Sequence, residues 1–308
     1  MKVLILGKYG QIANRLNNIL QSLEMVILSL DRNDLEFGDL SKIEGKIRNY
    51  NPDIIINASG YTNVDKAEIE PEKTYSVNTE AVKSIVNTAN EVGAWLIHYS
   101  SDYVFDGKLK RSYLETDEIN PLSVYGKSKA MADLYIEANC QNYIILRVSA
   151  VFDSKGHNFP NTILKLAHHK TELRVVSDQY IVPTSALFIS EITSLIVKLI
   201  KDKGYVAKGL YHLVPNGNAI SWHQFAKILL SNALVFGYKL KCNPDNVIAI
   251  NTGQYKQCAK RPLFSELSNS KIQETFGFTL SLWDKYLKVF MSENSVIYAK
   301  EGHHFSGR

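Results

Sequence analysis

The feature that most constrains the fold is a glycine-rich turn between an apolar run and a helical pattern at the N-terminus. Residues 3–6 are continuously apolar, as in a parallel strand that is buried on both faces. Gly7, Gly10 and Ala13 then form a G-x-x-G-x-x-A pattern, and apolar residues at helical spacing follow as far as Leu23. In a dinucleotide-binding unit the first glycine permits the tight turn, the second admits a pyrophosphate at the helix N-terminus, and the small third residue allows close packing. The sequence therefore predicts a dinucleotide cofactor.

Residues downstream of this turn bear on the choice of cofactor. A second apolar run ends at Asp31, whose carboxylate can accept hydrogen bonds from the adenosine ribose. Asp31 would also repel a 2′-phosphate and so favours NADH, whereas Arg32 beside it can pair with that phosphate and favours NADPH. Asp39 and Leu40 are candidates for the adenine side of the site, although Asp39 can equally cap the helix predicted after it. We expect NADPH or NADH.

Strands and helices alternate through the first half of the chain, which predicts an α/β fold with a doubly wound parallel sheet of the Rossmann type. Further buried strands are predicted over residues 52–57, 95–100 and 143–148, and a long helix over residues 71–92. Ligands bind beyond the carboxyl ends of such strands. The candidates for cofactor contacts at the end of the third strand are Ala58, Ser59 and Gly60.

The pattern changes after about residue 152, where short strands and helices replace the regular alternation. We expect a larger dinucleotide-binding domain and a smaller α/β substrate-binding domain over the carboxyl edge of the sheet. The first comprises residues 1–152 with returning segments near 184–213, and the second comprises residues 153–183 and 214–295. Residues 296–308, which include His303 and His304, are expected to form a tail and not a metal site.

Three side chains that could transfer a proton are expected near the same edge. Tyr125 and Lys129 are four residues apart, which places them one turn apart on one face of a helix. An ammonium beside a phenol lowers the pKa of the phenol, so the pair can act as a general acid or base near neutral pH. Ser101 follows a predicted strand and can hold a carbonyl oxygen against the phenol. We therefore predict that Ser101, Tyr125 and Lys129 are catalytic.

Composition argues against several other classes of protein. The formal charge of +4 over 308 residues, without a dense Lys or Arg block, gives no sign of nucleic-acid binding. No apolar stretch approaches the length of a membrane span, and the N-terminal apolar run is too short for a signal peptide. Cys140, Cys242 and Cys258 are isolated from one another, which disfavours a disulfide framework or a zinc site. We expect a cytoplasmic protein.

The chain resembles the dTDP-4-dehydrorhamnose reductases, a family of the extended short-chain dehydrogenase/reductase superfamily. The resemblance runs from about residue 2 to about residue 290, and its long central motifs are specific. The motifs that carry it are Gly7-Lys-x-Gly-Gln11, the run from Asp53 to Glu68, His98-Tyr-Ser-x-Asp-Tyr-Val-Phe-Asp-Gly107, Asn120-Pro-Leu-x-Val-Tyr-Gly-Lys-Ser-Lys129, Asn158-Phe159, Leu173-Arg-Val-Val-x-Asp-Gln179, Pro183-Thr184 and Arg261-Pro262.

The resemblance implies an NAD(P)H-dependent oxidoreductase that reduces the 4-keto group of a nucleotide-linked 4-keto-6-deoxy sugar, for deoxysugar and polysaccharide biosynthesis. Tyr125 would protonate the developing alkoxide, Lys129 would lower the pKa of that tyrosine and hold the nicotinamide ribose, and Ser101 would bind the keto oxygen. The cofactor-binding positions are Gly7, Gly10, Gln11, Ile12, Asp31, Arg32, Asp39, Leu40, Ala58, Ser59, Gly60, Tyr125 and Lys129. The sugar-binding positions are Thr62, Val64, Asp102, Tyr103 and Ala150. The resemblance leaves a homodimer open.

Several positions depart from the family pattern. Ala150 replaces a tryptophan that would stand near the sugar, and the space this opens puts the identity of the sugar in doubt. Ile181 and Phe264 replace a glycine and an asparagine. Arg15 replaces a glutamate that in some members helps to hold magnesium at a dimer interface, so we expect no structural metal.

Two alternative functions remain at the level of sequence. A sugar-nucleotide epimerase or dehydratase would have the same fold, but dehydratases commonly need an acidic pair, and here Tyr103 follows Asp102. A non-catalytic NAD(P)-binding subunit, similar to the β subunit of methionine adenosyltransferase, is the alternative from another class. The intact set of Ser101, Tyr125 and Lys129 favours an enzyme.

Overall fold

Six parallel strands form the central sheet of the protein, for which a computed structural model describes residues 1–35 and 39–300. The described residues contain twelve strands in all, which are β1 (Lys2–Leu6), β2 (Val26–Leu30), β3 (Ile54–Asn57), β4 (Trp95–Ser101), β5 (Tyr143–Val148), β6 (Val151–Phe152), β7 (Leu173–Val176), β8 (Tyr180–Ile181), β9 (Thr184–Ser185), β10 (Gly209–His212), β11 (Ile220–Ser221) and β12 (Val247–Ile250). Their order across the central sheet is β2-β1-β3-β4-β5-β10, and every neighbouring pair is parallel. The predicted doubly wound parallel sheet is confirmed.

Helices cover both faces of this sheet. The α-helices of the described residues are α1 (Gln11–Ser22), α2 (Arg32–Leu35), α3 (Leu40–Tyr50), α4 (Val64–Ile69), α5 (Pro71–Tyr75), α6 (Ala81–Val92), α7 (Val124–Asn139), α8 (Phe159–His169), α9 (Ala186–Lys203), α10 (Trp222–Val235), α11 (Ser270–Phe276) and α12 (Trp283–Lys300). Successive strand residues point to opposite faces, so Ile54 and Ile56 pack in the core formed with α1 and α9. Ile55 packs in the core formed with α3, α6 and α7. Burial on both faces explains why these strands read as unbroken apolar runs.

The direction of strand order reverses at β1, which lies between β2 and β3. A crevice opens at such a point beyond the carboxyl ends of the strands, and this is where doubly wound sheets bind ligands. The glycine turn after β1 and the Ala58–Gly60 segment after β3 both lie at this point. The topology therefore positions the predicted cofactor residues together.

The second half of the chain forms three small two-stranded sheets, which pair β6 with β9, β7 with β12 and β8 with β11. One strand, β10, returns to the edge of the central sheet beside β5. A capping box precedes α10, since Ser221 and Gln224 each bind the other's backbone amide. Helix α10 therefore begins at Trp222, directly after the capping residue Ser221.

Two predicted elements differ in detail. The helix predicted over residues 71–92 contains a π-helical segment at Ser76–Glu80, between α5 and α6. Helix α12 continues to Lys300, so the predicted tail is helical at its start. His303 and His304 lie outside the described residues.

Candidate active site

The glycine turn joins β1 to α1 next to the end of β3. Gly7 has a φ of +98°, and a Cβ atom at this residue would lie 2.7 Å from the carbonyl oxygen of Ala58. The turn therefore requires glycine, both for its backbone angle and for its closeness to β3. The amide of Gly10 donates to the Gly7 carbonyl oxygen at 2.7 Å, directly before α1. These glycines leave the first turn of α1, which begins with Gln11 and Ile12, accessible to a pyrophosphate.

The segment after β3 is held by two buried asparagines. The Ser59 amide and hydroxyl both donate to the side-chain oxygen of Asn57. After Gly60, the amide of Tyr61 donates to the side-chain oxygen of Asn78 at 2.8 Å. Asn78 lies in the π-helical segment, so this irregular turn fixes the loop that borders the cofactor site.

Asp31 lies at the end of β2, as predicted, and also caps the short helix α2. Its Oδ1 accepts the amides of Asn33 and Asp34, and Asp34 Oδ2 accepts the amide of Asp31 in return. Arg32 is the exposed first residue of α2. One carboxylate oxygen of Asp31 therefore accepts hydrogen bonds within the turn that begins α2. The contact of Asp31 or Arg32 with NADH or NADPH stays a prediction.

Asp39 and Leu40 lie at the start of α3. Asp39 stands at the N-cap position and accepts the hydroxyl of Ser41 at 2.5 Å, and this bond lowers the pKa of Asp39. Leu40 packs partly into the core beneath α3. Asp39 thus holds the N-cap position without a side-chain hydrogen bond that caps α3, and its contact with adenine stays a prediction.

Tyr125 and Ser101 meet at the carboxyl edge of the sheet. Ser123 caps α7 by accepting the amide of Gly126, which places Tyr125 in the first turn. A Cβ atom at Gly126 would lie only 2.2 Å from the carbonyl oxygen of Tyr103, so glycine is required where α7 crosses the end of β4. Burial raises the pKa of Tyr125 to about 12, and a hydrogen bond with the Ser101 hydroxyl opposes this rise. Ser101 and Tyr125 are therefore neighbours at this edge of the sheet.

Lys129 follows Tyr125 by one helical turn, yet its amino group is bonded elsewhere. Its Nζ donates to the carbonyl oxygen of Tyr99 and lies 3.2 Å from Nε2 of His98. Lys129 is 4% exposed, and burial lowers its pKa to about 8, with Asp133 opposing the change. Burial of the phenol raises the pKa of Tyr125, and the lowering of that pKa by Lys129 stays a prediction.

Asp102 lies behind Ser101 and not in an open pocket. It is 2% exposed, and its two carboxylate oxygens accept the hydroxyls of Ser101 at 3.0 Å and Ser149 at 2.8 Å. Burial raises its pKa. The ring of Tyr103 packs edge-on against Tyr125 with centroids 5.7 Å apart. Tyr103 thus borders the acid, whereas Asp102 is placed to orient Ser101.

The other predicted sugar residues lie around this centre on separate elements. Thr62 is exposed in the loop after β3, and Val64 begins α4. Helix α4 reaches α7 through Glu68, whose carboxylate accepts the amide of Val124 at 2.8 Å. Ala150 follows β5 with a left-handed φ of +42°, and its carbonyl accepts the amide of Thr184.

Several residues of the site were not predicted as functional. Arg261 binds Asp65 of α4, and Asp65 also accepts the amides of Cys258 and Ala259, so the C-terminal part of the chain is tied to the loop that bears Thr62. Asn57, Asn78 and His98 are buried polar residues at the sheet edge. A polar residue at the end of an apolar run was the signal that could have identified Asn57 and His98.

Arg15 binds other groups of the protein. Its guanidinium forms ion pairs with Asp153 and Glu293 and donates to the hydroxyl of Ser154 at 3.0 Å. The described part of the chain contains no group of three or more His, Cys, Asp or Glu residues that could hold a metal ion.

Across residues 1–35 and 39–300, no helix is both long enough and apolar enough to span a membrane.

Comparisons with known proteins agree with this geometry. A family model described as "RmlD substrate binding domain" matches residues 1–296. The dTDP-4-dehydrorhamnose reductase of Escherichia coli (strain K12) is 39% identical over 297 residues, which cover 95% of this chain and 98% of that protein.

Two solved structures have the same architecture over nearly the whole chain. A dTDP-4-dehydrorhamnose reductase from Clostridium acetobutylicum is 30% identical, with a TM-score of 0.86 over 95% of this chain and 99% of that one. The enzyme of the same name from Bacillus anthracis, solved in complex with NADP, is 30% identical, with a TM-score of 0.85 and the same coverage. The resemblance inferred from the motifs is confirmed, and the chain belongs to the dTDP-4-dehydrorhamnose reductase family.

Proposed function

We propose that this protein is an NAD(P)H-dependent oxidoreductase that reduces the 4-keto group of a nucleotide-linked 4-keto-6-deoxy sugar. The observation that carries the proposal is that Tyr125, in the first turn of α7, and Ser101, at the end of β4, are neighbours at the same edge of the central sheet as the glycine turn. The family membership supports the same chemistry. A nucleotide sugar is its substrate class, and deoxysugar biosynthesis is its role.

The residues present fit a dinucleotide. The glycine turn, which brings β1 into α1 close to the end of β3, and the open first turn of α1 suit a pyrophosphate. Bound NAD(P)H would supply the hydride to C4 of the sugar. We assign the cofactor contacts to the glycine turn, to Asp31 and Arg32, and to the segment after β3. Lys129 is assigned to the nicotinamide ribose.

Proton transfer is assigned to Tyr125. Its raised pKa of about 12 keeps the phenol protonated through the neutral range, which is the form that an acid needs in the direction of reduction. Ser101 donates its single hydroxyl proton to Asp102 in this structure, and it would turn that proton to the keto oxygen as negative charge develops there. Tyr103, Thr62 and Val64 are proposed to border the sugar.

We further propose the division into a dinucleotide-binding part, residues 1–152 with 184–213, and a substrate-binding part, residues 153–183 and 214–295. The central sheet draws its strands only from the first part, which supports this division among the described residues. The bonds of Asp65 to Arg261 and to the Cys258 amide link the two parts beside the site. We also propose that the protein forms a homodimer and is located in the cytoplasm.

The test is oxidation of NADPH or NADH by the purified protein with dTDP-, UDP-, GDP- and CDP-linked 4-keto-6-deoxy sugars. We expect oxidation that depends on the keto sugar. Tyr125→Phe should lower kcat by roughly 100-fold or more and leave cofactor affinity nearly unchanged, because only the general acid is lost. Tyr135→Phe is the matched control, since Tyr135 lies on the same helix and binds Asn87 at the surface.

Two results would count against the proposal. A Tyr125→Phe enzyme with a near-normal rate would remove Tyr125 from the mechanism. Cofactor binding without turnover on any of the sugars would favour a non-catalytic subunit.

A further inference from the structure

Glu68 connects the short helix α4 to the helix that carries Tyr125. Its carboxylate accepts the backbone amide of Val124 at 2.8 Å, and Val124 is the first residue of α7. The two residues are 56 positions apart in the sequence, so the bond joins separate elements of the fold. Glu68 lies near the end of α4, and Val64, which is proposed to border the sugar, begins the same helix. Helix α4 therefore lies between the proposed sugar site and the helix of the proton donor.

The place of Tyr125 in its helix makes this bond important for the acid. Tyr125 is the second residue of α7, and the first turn of a helix has no intrahelical partners for its amides and frays readily. Ser123 accepts the amide of Gly126 at 3.1 Å, and Glu68 accepts that of Val124. A carboxylate at the N-terminus of a helix also interacts favourably with the helix dipole. These two acceptors therefore fix the turn that carries the phenol.

Asp65, the other acidic residue that matters on α4, binds the C-terminal part of the chain. Its Oδ1 accepts the amides of Cys258 and Ala259 at 3.0 Å each, and its Oδ2 pairs with Arg261. Asp65 and Glu68 are three residues apart, and residues at this spacing are neighbours on a helix surface. Helix α4 is thus bonded to the C-terminal part through one carboxylate and to α7 through the other.

We propose that Glu68 is a positioning residue for Tyr125, and that α4 holds the proton donor in register with the residues that border the sugar. The inference rests on the proposed function. Asp65 fixes α4 against the C-terminal part, and Glu68 passes this position on to the first turn of α7. Thr62 and Val64 come just before Asp65 in the sequence, so one short segment orients both the sugar contacts and the acid.

The expected effect is on the chemical step. A displacement of about 1 Å at a reacting group can lower the rate roughly 100-fold, because proton transfer depends on the distance between the two oxygens. Binding of the sugar and of the cofactor uses many other contacts. Loss of the Glu68 bond should therefore lower kcat and leave KM and cofactor affinity nearly unchanged. A residue that only stabilised the fold would leave the kcat of the folded protein as it is.

The first test compares Glu68→Ala with Glu68→Gln. The amide oxygen of glutamine can still accept the Val124 amide, whereas alanine has no acceptor. We expect kcat to fall roughly 10- to 100-fold in Glu68→Ala and to stay close to the wild-type value in Glu68→Gln. Ser221→Ala, which removes the N-cap of α10, is the control for lost stability and should keep the wild-type kcat. Equal kcat values for the two Glu68 variants would overturn the proposal.

The second test needs no substrate. Hydrogen exchange of the Val124 and Tyr125 amides, followed by NMR, reports how often the first turn of α7 opens. We expect exchange of these amides to be about tenfold faster or more in Glu68→Ala than in Glu68→Gln. Unchanged exchange in Glu68→Ala would show that Glu68 does not hold this turn, and would overturn the proposal. The measurement is independent of turnover, so its outcome is separate from that of the proposed reaction.

The third test is a double-mutant cycle for the step from Asp65 to Glu68. Asp65→Ala removes the acceptor for the amides of Cys258 and Ala259 and the partner of Arg261. If α4 transmits the position of the C-terminal part to α7, the double variant Asp65→Ala/Glu68→Ala should lower kcat about as much as the more damaging single variant. Decreases that multiply would show that the two residues act separately, and would overturn the role proposed for α4.

Discussion

Asp31 lies between β2 and α2, and its side chain caps α2. A substitution can therefore remove its charge and keep its capping role. Asp31→Asn keeps a side-chain oxygen for the amides of Asn33 and Asp34 but removes the charge that would repel a 2′-phosphate. We expect the ratio of Kd values to move towards NADPH by about tenfold, or roughly 1.4 kcal/mol. Titration of the protein with NADH and NADPH measures this ratio. Asp34→Asn is the control, because it changes the same cap, and equal weakening of both cofactors in Asp31→Asn would show that Asp31 does not contact the ribose.

Ala150 tests whether the sugar differs from the one named for the family. Restoring the ring with Ala150→Trp fills the space beside the proposed sugar site, so activity on the true substrate should fall and preference should shift to dTDP-4-dehydrorhamnose. One such packing change supports a shift of roughly 10- to 200-fold in relative kcat/KM. Ala150→Gly is the control, since it keeps the space open and suits the φ of +42°.

The contrary outcome for this position is also clear. If the unmodified protein already reduces dTDP-4-dehydrorhamnose at an ordinary rate and Ala150→Trp changes nothing, the idea of a divergent substrate fails. Ile181 is 4% exposed in the main core, and the Phe264 ring lies 6.3 Å from that of Tyr180. Both bulkier residues are therefore accommodated by packing in the C-terminal half, whether or not they fill the space left by tryptophan.

At the scale of elements, Arg15 joins α1 to α12 and to the segment after β6. Asp153 is 2% exposed, so removing its positively charged partner would leave a buried carboxylate without compensation. We expect Arg15→Met to lower the free energy of unfolding by about 2 kcal/mol, less than for a wholly buried pair because Arg15 is 20% exposed. Urea unfolding measures the change. Arg174→Met, which removes an exposed ion pair with Glu172, should lower the free energy of unfolding by less than about 0.5 kcal/mol. An equal decrease for the two variants would show that the ion pairs of Arg15 do not stabilise the fold.

Elements that depend on local pattern could be predicted, and those that depend on distant partners could not. The residues of β5, β7 and the capped helix α10 follow from apolar runs and a capping box within the segment itself. The π-helical turn inside residues 71–92 does not, because it is stabilised across the fold. Asn78 donates to the hydroxyl of Ser128 and Thr79 donates to the Ser128 carbonyl oxygen, 50 and 49 residues away.

The same distinction applies to the site. The spacing of Tyr125 and Lys129 on one helix was sufficient to predict that they share a face. The bonds of Lys129 to Tyr99 and His98 depend on where α7 lies over β4, which no local pattern records. For this reason the identity of the lysine could be predicted, and its environment could not.

At the scale of the whole molecule, five strands of the central sheet come from the first half of the sequence and the sixth comes from the second half. Strands β1 to β5 and their helices lie within the first 148 residues, whereas the edge strand β10 comes from Gly209–His212. This strand brings His212 into the core beside Phe105, with ring centroids 5.7 Å apart. A histidine inside a packed core cannot accept a proton without cost, so the completed fold should be sensitive to acid.

His212 should make the protein less stable as the pH falls below the ordinary histidine pKa. Burial, together with the charge of Arg147, lowers the pKa of His212 to about 3 from 6.5. The unfolded chain therefore binds a proton below pH 6.5 that the folded protein rejects, and the free energy of unfolding should fall by about 1.4 kcal/mol per pH unit for this group between about 6 and 4. Above pH 6.5 the effect is absent, because the ring is neutral in both states.

The contribution of His212 can be isolated from that of the other groups, including His98, whose pKa is also lowered by burial. Urea unfolding of wild type and His212→Gln across this pH range measures the two slopes. The variant should be less stable near neutral pH, since a packed ring is lost, but its stability should depend on pH less steeply by about one proton. His169→Gln, at an exposed position near the end of α8, should leave the slope as it is in wild type. Equal slopes for wild type and His212→Gln would mean that His212 is protonated in the folded protein, and that the end of β10 is open to water.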